Sequence, residues 1–279
     1  MMEQSEIFFY CYKNVWQIFE DYINSIINFL IKKFNYKVNL ELYEVIDFNI
    51  DIKSKNKYIF IQCLTASIVH ICNTRNCTNI YLINTEQLCR KYDNWCNMIN
   101  NYPQNINYLD WTFENIKYYN NKNVKYLPYQ VNYKEIKNYE KEFDICIIQP
   151  FQSEYRWNII NELRNKYNLN INIITGYGDE RDDILFRHKI ILNISYSPCA
   201  NMLETIRCYR CVFNKMIVIS DEKKDEKLLL KDYIIFEKYE NMCDKIVYVL
   251  NNYNDIYNKL FNNFNLTDIE KQLEEYIDI

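Results

Sequence analysis

Glycine is nearly absent from this sequence. Gly176 and Gly178 are the only two in 279 residues. That scarcity removes two nucleotide-binding devices, because neither a Gly-x-Gly-x-x-Gly fingerprint nor a P-loop occurs anywhere. It also makes the two glycines informative. A chain this poor in glycine keeps it where a positive φ, or close approach of the backbone, would make any other residue costly. A turn that merely ends a strand is the plainer use.

Other absences narrow the class further. Net charge is −4 and no basic block occurs, which argues against a nucleic-acid partner bound through clustered Lys and Arg. No apolar run approaches the roughly 20 residues of a membrane span, so no transmembrane segment is expected. Eleven cysteines are present, but the count is odd and the spacing irregular. The start, MMEQSEIFFY, is acidic and its apolar run is too short for a signal peptide. The thiols therefore read as reduced and the protein as cytoplasmic. Cys208-Tyr209-Arg210-Cys211 is a lone Cys-x-x-Cys with no partner pair, and zinc wants four ligands. It reads as helix packing, and no bound metal is expected. The remaining composition, 49% hydrophobic and 25% charged, is that of a globular protein. The 27 tyrosines fit an AT-rich coding bias and carry little functional information.

What is present is organised around residues 171–221. An apolar run at 171–175 ends in Gly176-Tyr177-Gly178, a second spans 189–195, a helical pattern covers 201–213, and a third run spans 216–220. Strand, turn, strand, helix, strand predicts parallel strands with crossover helices. In open α/β sheets ligands bind at the carboxyl ends of strands, where both glycines fall.

Pro198, Met202-Leu203-Glu204-Thr205 and Asn214-Lys215-Met216-Ile217-Val218-Ile219-Ser220-Asp221 resemble the donor-binding signature of GT-B glycosyltransferases. There a helix bearing a glutamate leads through a short turn into a strand. The layout is similar to glycosyltransferase-like proteins of large DNA viruses of amoebae, over residues 144–250. The second glutamate and the glycines of the usual motif are missing. The resemblance implies an α/β GT-B-like fold, two Rossmann-like domains with parallel sheets facing a cleft. It implies an acceptor-side domain over 1–132 and a nucleotide-sugar domain over 133–279. The nucleotide-sugar is a substrate, and no separate cofactor is implied.

On that resemblance Ser153, Arg156, Gly176, Gly178, Arg181, Ser197, Glu204 and Arg207 are donor-binding candidates. Each has a plainer reading. Ser153 precedes a helix predicted over 157–167 and serves as an N-cap. Arg181 either clamps a pyrophosphate or pairs with Asp182 or Asp183. Arg207 lies one turn after Glu204, so the two side chains can pair instead of binding ligand.

The first half reads as a helix at 15–34, strands at 38–45, 57–62 and 80–84, and a strand, helix and short strand over 108–129. Asp47 and Asp51 follow the strand at 38–45 without the spacing of a metal motif, and read as turn residues. Glu86 follows a strand and opens a helix predicted over 86–99, capped by Thr85. Its functional reading is acceptor binding or general-base work. His70 reads as a packed helix residue or, second to Glu86, as the base. His188 precedes a strand near the glycine turn and is expected to be solvent-exposed, with phosphate as the alternative. The final helices end in an acidic stretch that either crosses back to the first domain or stays solvated. The expected activity is hexosyl or related transfer from a nucleotide-sugar to a glycan or protein acceptor. The alternative is a catalytically degenerate binding or structural protein of the same fold.

Overall fold

The structure is a computed structural model describing residues 6–44, 50–89, 94–148, 153–198, 200, 202–223 and 227–277. Asp47 lies outside the described residues. The chain forms two units. The first runs to Asn132 and resumes at Leu273, and the second is Tyr133–Gln272.

The first unit contains β1 (Glu6–Tyr12), α1 (Lys13–Phe34), β2 (Lys37–Tyr43), β3 (Lys57–Ile61), α2 (Ala66–Thr74) and β4 (Ile80–Asn84). It continues with α3 (Trp95–Asn101), β5 (Asn107–Asp110), α4 (Phe113–Ile116) and β6 (Val124–Tyr126). Its sheet is parallel throughout, in the order β2-β1-β3-β4-β5-β6. Central strands are apolar on both faces because helices cover both. All five residues of β4 are buried, whereas most of β2, at the edge, is exposed or half-buried. On α1 the apolar stripe buries Tyr22, Ile23, Ile26, Phe29 and Leu30. Ile18, Ile31 and Phe34 lie on its flanks and are exposed, against the expectation of burial. The return segment is fixed in this unit by Tyr276, whose ring meets Phe113 and Tyr126 at 5.8 and 5.3 Å.

The second unit contains β7 (Phe143–Ile148), α5 (Glu154–Tyr167), β8 (Ile171–Ile174), α6 (Gly178–Leu185), β9 (His188–Asn193) and α7 (Thr205–Phe213). β10 (Ile217–Asp221), β11 (Ile234–Glu237), α8 (Met242–Asn251) and α9 (Tyr253–Phe261) follow, and α10 (Leu266–Glu274) leads toward the return segment. This sheet is also parallel, ordered β11-β10-β9-β7-β8. Both units are thus doubly wound, Rossmann-like α/β structures. In each, the strand order reverses beside the first strand of the sheet, between β1 and β3 and between β7 and β9. Loops leaving those neighbours part to opposite faces and open a crevice at the carboxyl edge.

Three local expectations change. Residues 86–89 form a loop, and the following helix is only Trp95–Asn101. Thr85 therefore caps nothing, and its buried hydroxyl makes no hydrogen bond. Residues 178–185 are helical, where a plain turn was expected. His188 is buried, held by Asn172 at 2.9 Å and the Ile184 carbonyl at 2.9 Å, and burial lowers its pKa.

Helix ends show how the chain manages without glycine. Asn35 and Asn168 take the left-handed conformation after α1 and α5, at φ 52° and 51°. Asparagine tolerates that region better than other side chains. Gly176 and Gly178 sit at φ +88° and +67°, and beyond the adjoining backbone no atom lies within 4 Å of where either Cβ would stand. Backbone conformation, not crowding, demands glycine there. Gly176→Ala is expected to cost about 1 kcal/mol in urea denaturation; an unchanged midpoint would show that the turn relaxes freely.

Candidate functional site

The carboxyl edge of the second sheet gathers the polar groups that the topology leads one to look for. Ser153 is the N-cap of α5, and its Oγ accepts the Arg156 N–H at 3.2 Å. The same hydroxyl donates to the Tyr196 carbonyl at 2.7 Å, tying α5 to the loop after β9. Arg156, in the first turn of α5, is buried. Its Nε donates to the Ile194 carbonyl at 2.7 Å and its Nη2 to Glu204 Oε1 at 3.2 Å. Glu204 Oε2 pairs with Arg207 Nη2 at 2.7 Å. Glu204 is the residue before α7, not an interior helix position, so its carboxylate stands over the first turn. Side chains of Glu204 and Arg207 remain 22% and 19% exposed, which leaves the pair reachable from solvent.

A second group borders the same loop, and the sequence reading missed it. Asp221, the last residue of β10, accepts the Ser195 N–H at 3.0 Å. Lys223 Nζ lies 2.6 Å from Asp221 Oδ1 and 2.5 Å from Ser195 Oγ, with its side chain 1% exposed. The signal was hidden because Lys223 stands among the surface-like charges of residues 222–227. Arg156, Arg207 and Lys223 face Glu204 and Asp221, an excess of one positive charge that suits an anionic ligand. Beside them Tyr155 and Tyr239 stack at 3.7 Å. Burial, followed by the Asp221 charge, pushes the Tyr155 phenol up to about 12.

The structure thus brings together Ser153, Arg156, Glu204 and Arg207. Ser197 lies in the same loop, where its carbonyl accepts the Ala200 N–H at 3.0 Å. Gly176 and Gly178 border the neighbouring strand β8. Arg181 is engaged elsewhere: its guanidinium is buried against Asp182, with Nη2 2.6 Å from Oδ1. The pairing is one that the sequence offered, but in the interior rather than on the surface.

In the first unit Glu86 follows β4 at the carboxyl edge. Its Oε1 accepts from Gln62 Nε2 at 2.9 Å. Gln62 occupies the left-handed region, φ 69°, and the Cys63 N–H returns to the Ile61 carbonyl at 2.8 Å. The Glu86 backbone is anchored by Asn84 and Asn115, whose amides donate to its carbonyl at 2.8 and 2.7 Å. Both also donate to Asp110, a fully buried carboxyl that further accepts from Tyr119 Oη at 2.8 Å and the Thr112 N–H at 3.1 Å. Burial raises Asp110 to about 7 despite those donors. His70 is exposed on α2, not packed as its neighbours suggested. Among the described residues no group of three His, Cys, Asp or Glu side chains is placed to hold a metal ion. Among them, too, no helix is long and apolar enough to cross a membrane.

No family model matches this chain. It is similar to the uncharacterized protein L138 of Acanthamoeba polyphaga mimivirus, 30% identical over 259 residues, which cover 86% of this chain and 28% of that protein. It is similar to L140 of the same virus, 28% identical over 88% of this chain and 81% of that protein. Protein R358 is 29% identical over 71% of this chain and 72% of its own length. The relatives found are thus proteins of an amoebal virus, and this chain spans less than a third of L138.

Proposed function

We propose that the second unit binds the diphosphate and ribose of a nucleotide-sugar, and that the protein is a metal-independent glycosyltransferase of GT-B type acting on a glycan or protein acceptor. The observation that carries the reading is Arg156, a buried guanidinium beside the start of α5 at the switch point between β7 and β9. Charge develops on the departing diphosphate during sugar transfer. A fixed cation and the N–H groups at a helix start stabilise that charge without reorganisation. Glu204 is the candidate for the ribose hydroxyls, and Arg207 sets its position. An inverting reaction needs a group to take the acceptor proton. Glu86 of the first unit is the first choice for that work and His70 the second.

A non-catalytic binding protein of the same fold is the second reading. It is favoured by the fact that both Glu204 oxygens already hold arginines. Thermal-shift screening against nucleotides and nucleotide-sugars, wild type beside Glu204→Ala, separates the two from a protein with no donor site. A ligand at a hundred times its Kd stabilises by about 2.7 kcal/mol. The expected result is a shift with one nucleotide, lost in Glu204→Ala. Sugar release or transfer from the matching nucleotide-sugar then marks the enzyme, and binding without turnover marks the second reading. No shift with any nucleotide, from a folded sample, removes the donor site from both.

A further inference from the structure

A second feature of the second unit lies at the opposite edge of the sheet from the crevice. Lys141 stands two residues before β7 and Lys215 two before β10, so both mark the amino edge. They line a cavity of about 210 Å³ with Lys137, Asn214, Tyr257 and Phe264. No carboxylate lines it.

The three lysines are not all explained by the fold. Lys141 Nζ donates to the Phe186 carbonyl at 2.7 Å and the Asn214 carbonyl at 3.2 Å. An ammonium has three N–H groups, and two are used here on neutral acceptors, one at the end of α6 and one at the end of α7. Such a contact alone is the ordinary way for a lysine to close a helix. Lys137 and Lys215 go beyond it. Lys137 has Asp179 at 3.9 Å, and that carboxylate is 92% exposed. Lys215 lies 5.8 Å from the Phe264 ring centre. It also occupies the left-handed region at φ 50°. Its N–H bonds to the Val212 carbonyl and that of Met216 to the Cys211 carbonyl, the closing pair of a Schellman motif. At the ends of α1 and α5 the chain gives this backbone conformation to asparagine. A lysine accepts backbone strain there, at a position that lines the cavity.

Three like charges around one cavity repel, and burial already pushes Lys141 down to about 8. An anion in the cavity reverses the sign of that interaction. Lysines are point-charge binders of phosphate, while Tyr257 and Phe264 offer an apolar wall for an organic body. We propose that this cavity is a binding site for a small phosphate monoester carrying a flat apolar group. The phosphate sits on Lys137, Lys141 and Lys215, and the ring lies against Tyr257 and Phe264. The site is independent of the nucleotide-sugar reading.

Phenyl phosphate is the probe, because it has the phosphate and the ring but no ribose or nucleobase. Titration calorimetry on the whole chain is expected to show one saturable site, at least tenfold tighter than for phenol or inorganic phosphate and weakening as KCl rises. Lys137→Met, at a half-buried position, with Lys215→Met, at an exposed one, is expected to weaken binding at least tenfold with an unchanged circular dichroism spectrum. Glu204→Ala is expected to bind the probe as the wild type does. Equal affinity in the double lysine variant, loss in Glu204→Ala, or no saturation at millimolar probe would each overturn the assignment. Failure of the nucleotide screen leaves this result untouched, and the reverse also holds.

Discussion

Asp182→Ala is expected to remove about 3–5 kcal/mol from the stability of the second unit, the size found when one partner of a buried ion pair is deleted. Asp182 is 3% exposed. Its Oδ1 receives Arg181 Nε at 2.8 Å and Arg210 Nη1 at 3.1 Å, and its Oδ2 receives Arg210 Nη2 at 2.5 Å. Arg210 and Arg181 are themselves 4% and 8% exposed. Without Asp182, Arg210 keeps Glu135 at 3.4 Å, but the two buried guanidinium groups lose the carboxylate that they share. Exposed pairs such as Lys166 with Glu162 contribute far less by comparison, because solvent screens them. Removing the charges together, as Asp182→Leu with Arg181→Met and Arg210→Met, is expected to recover most of the loss. Urea unfolding can be followed by Trp157 fluorescence, since no other tryptophan lies between residues 133 and 272. A loss below about 1 kcal/mol for Asp182→Ala would show that water reaches the cluster and that burial does not set its energy.

The second large effect is a pH dependence in the first unit. Asp110 ionises at about 7 in the fold, against 3.8 ordinarily, because burial opposes the charge more than Asn84, Tyr119, Thr112 and Asn115 favour it. Between these values the folded chain holds a proton that the unfolded chain has lost. Stability therefore falls as pH rises from about 4 to about 7, and this contribution is flat above and below. At about 1.4 kcal/mol per unit the full difference is about 4 kcal/mol. Other carboxylates titrate in the same range, so the test is the difference between wild type and Asp110→Asn. That difference is expected to shrink by several kcal/mol across the window as the wild type loses its advantage. A constant difference from pH 4.5 to 7.5 would mean that Asp110 stays ionised throughout. The same carboxyl holds the asparagines that fix the Glu86 backbone, so the Glu86 loop is expected to loosen in Asp110→Asn, seen as faster amide exchange at 84–88.

Much of the architecture was legible because local rules suffice where a segment is strongly patterned. β4, β7 and β10 are short apolar runs, and α1 and α5 repeat their apolar residues at helical spacing. For Gly176 and Gly178 the sequence offers positive φ, close backbone approach or a plain turn, and both adopt positive φ. Local rules failed where pattern was thin or tertiary packing overrode it. The strand β1 was not picked out near the start because EIFFYCY is too apolar to alternate, and its identity depends on pairing with β2 and β3. The helix α6 begins with glycine and carries few apolar residues, so it depends on Asp182 and Leu185 being buried. His70 and His188 exchanged their expected surroundings for a related reason: a single imidazole carries no periodicity from which burial can be read.

For the candidate site the sequence supplied the residues at the N-terminal ends of α5 and α7, since Ser153, Arg156, Glu204 and Arg207 each stand beside a strand-to-helix turn. By itself it determined that parallel strands would alternate with helices, and that polar groups would collect after them. Only the tertiary structure decided which of those groups meet. Arg156 reaches Glu204 across 48 residues and Lys223 reaches Ser195 across 28, while Arg181 turns to its neighbour Asp182. Chain order fixes what can follow a strand. The strand order β8-β7-β9-β10-β11 fixes which loops become neighbours, and that order is set by burial of whole sheet faces, a property no short stretch of sequence contains.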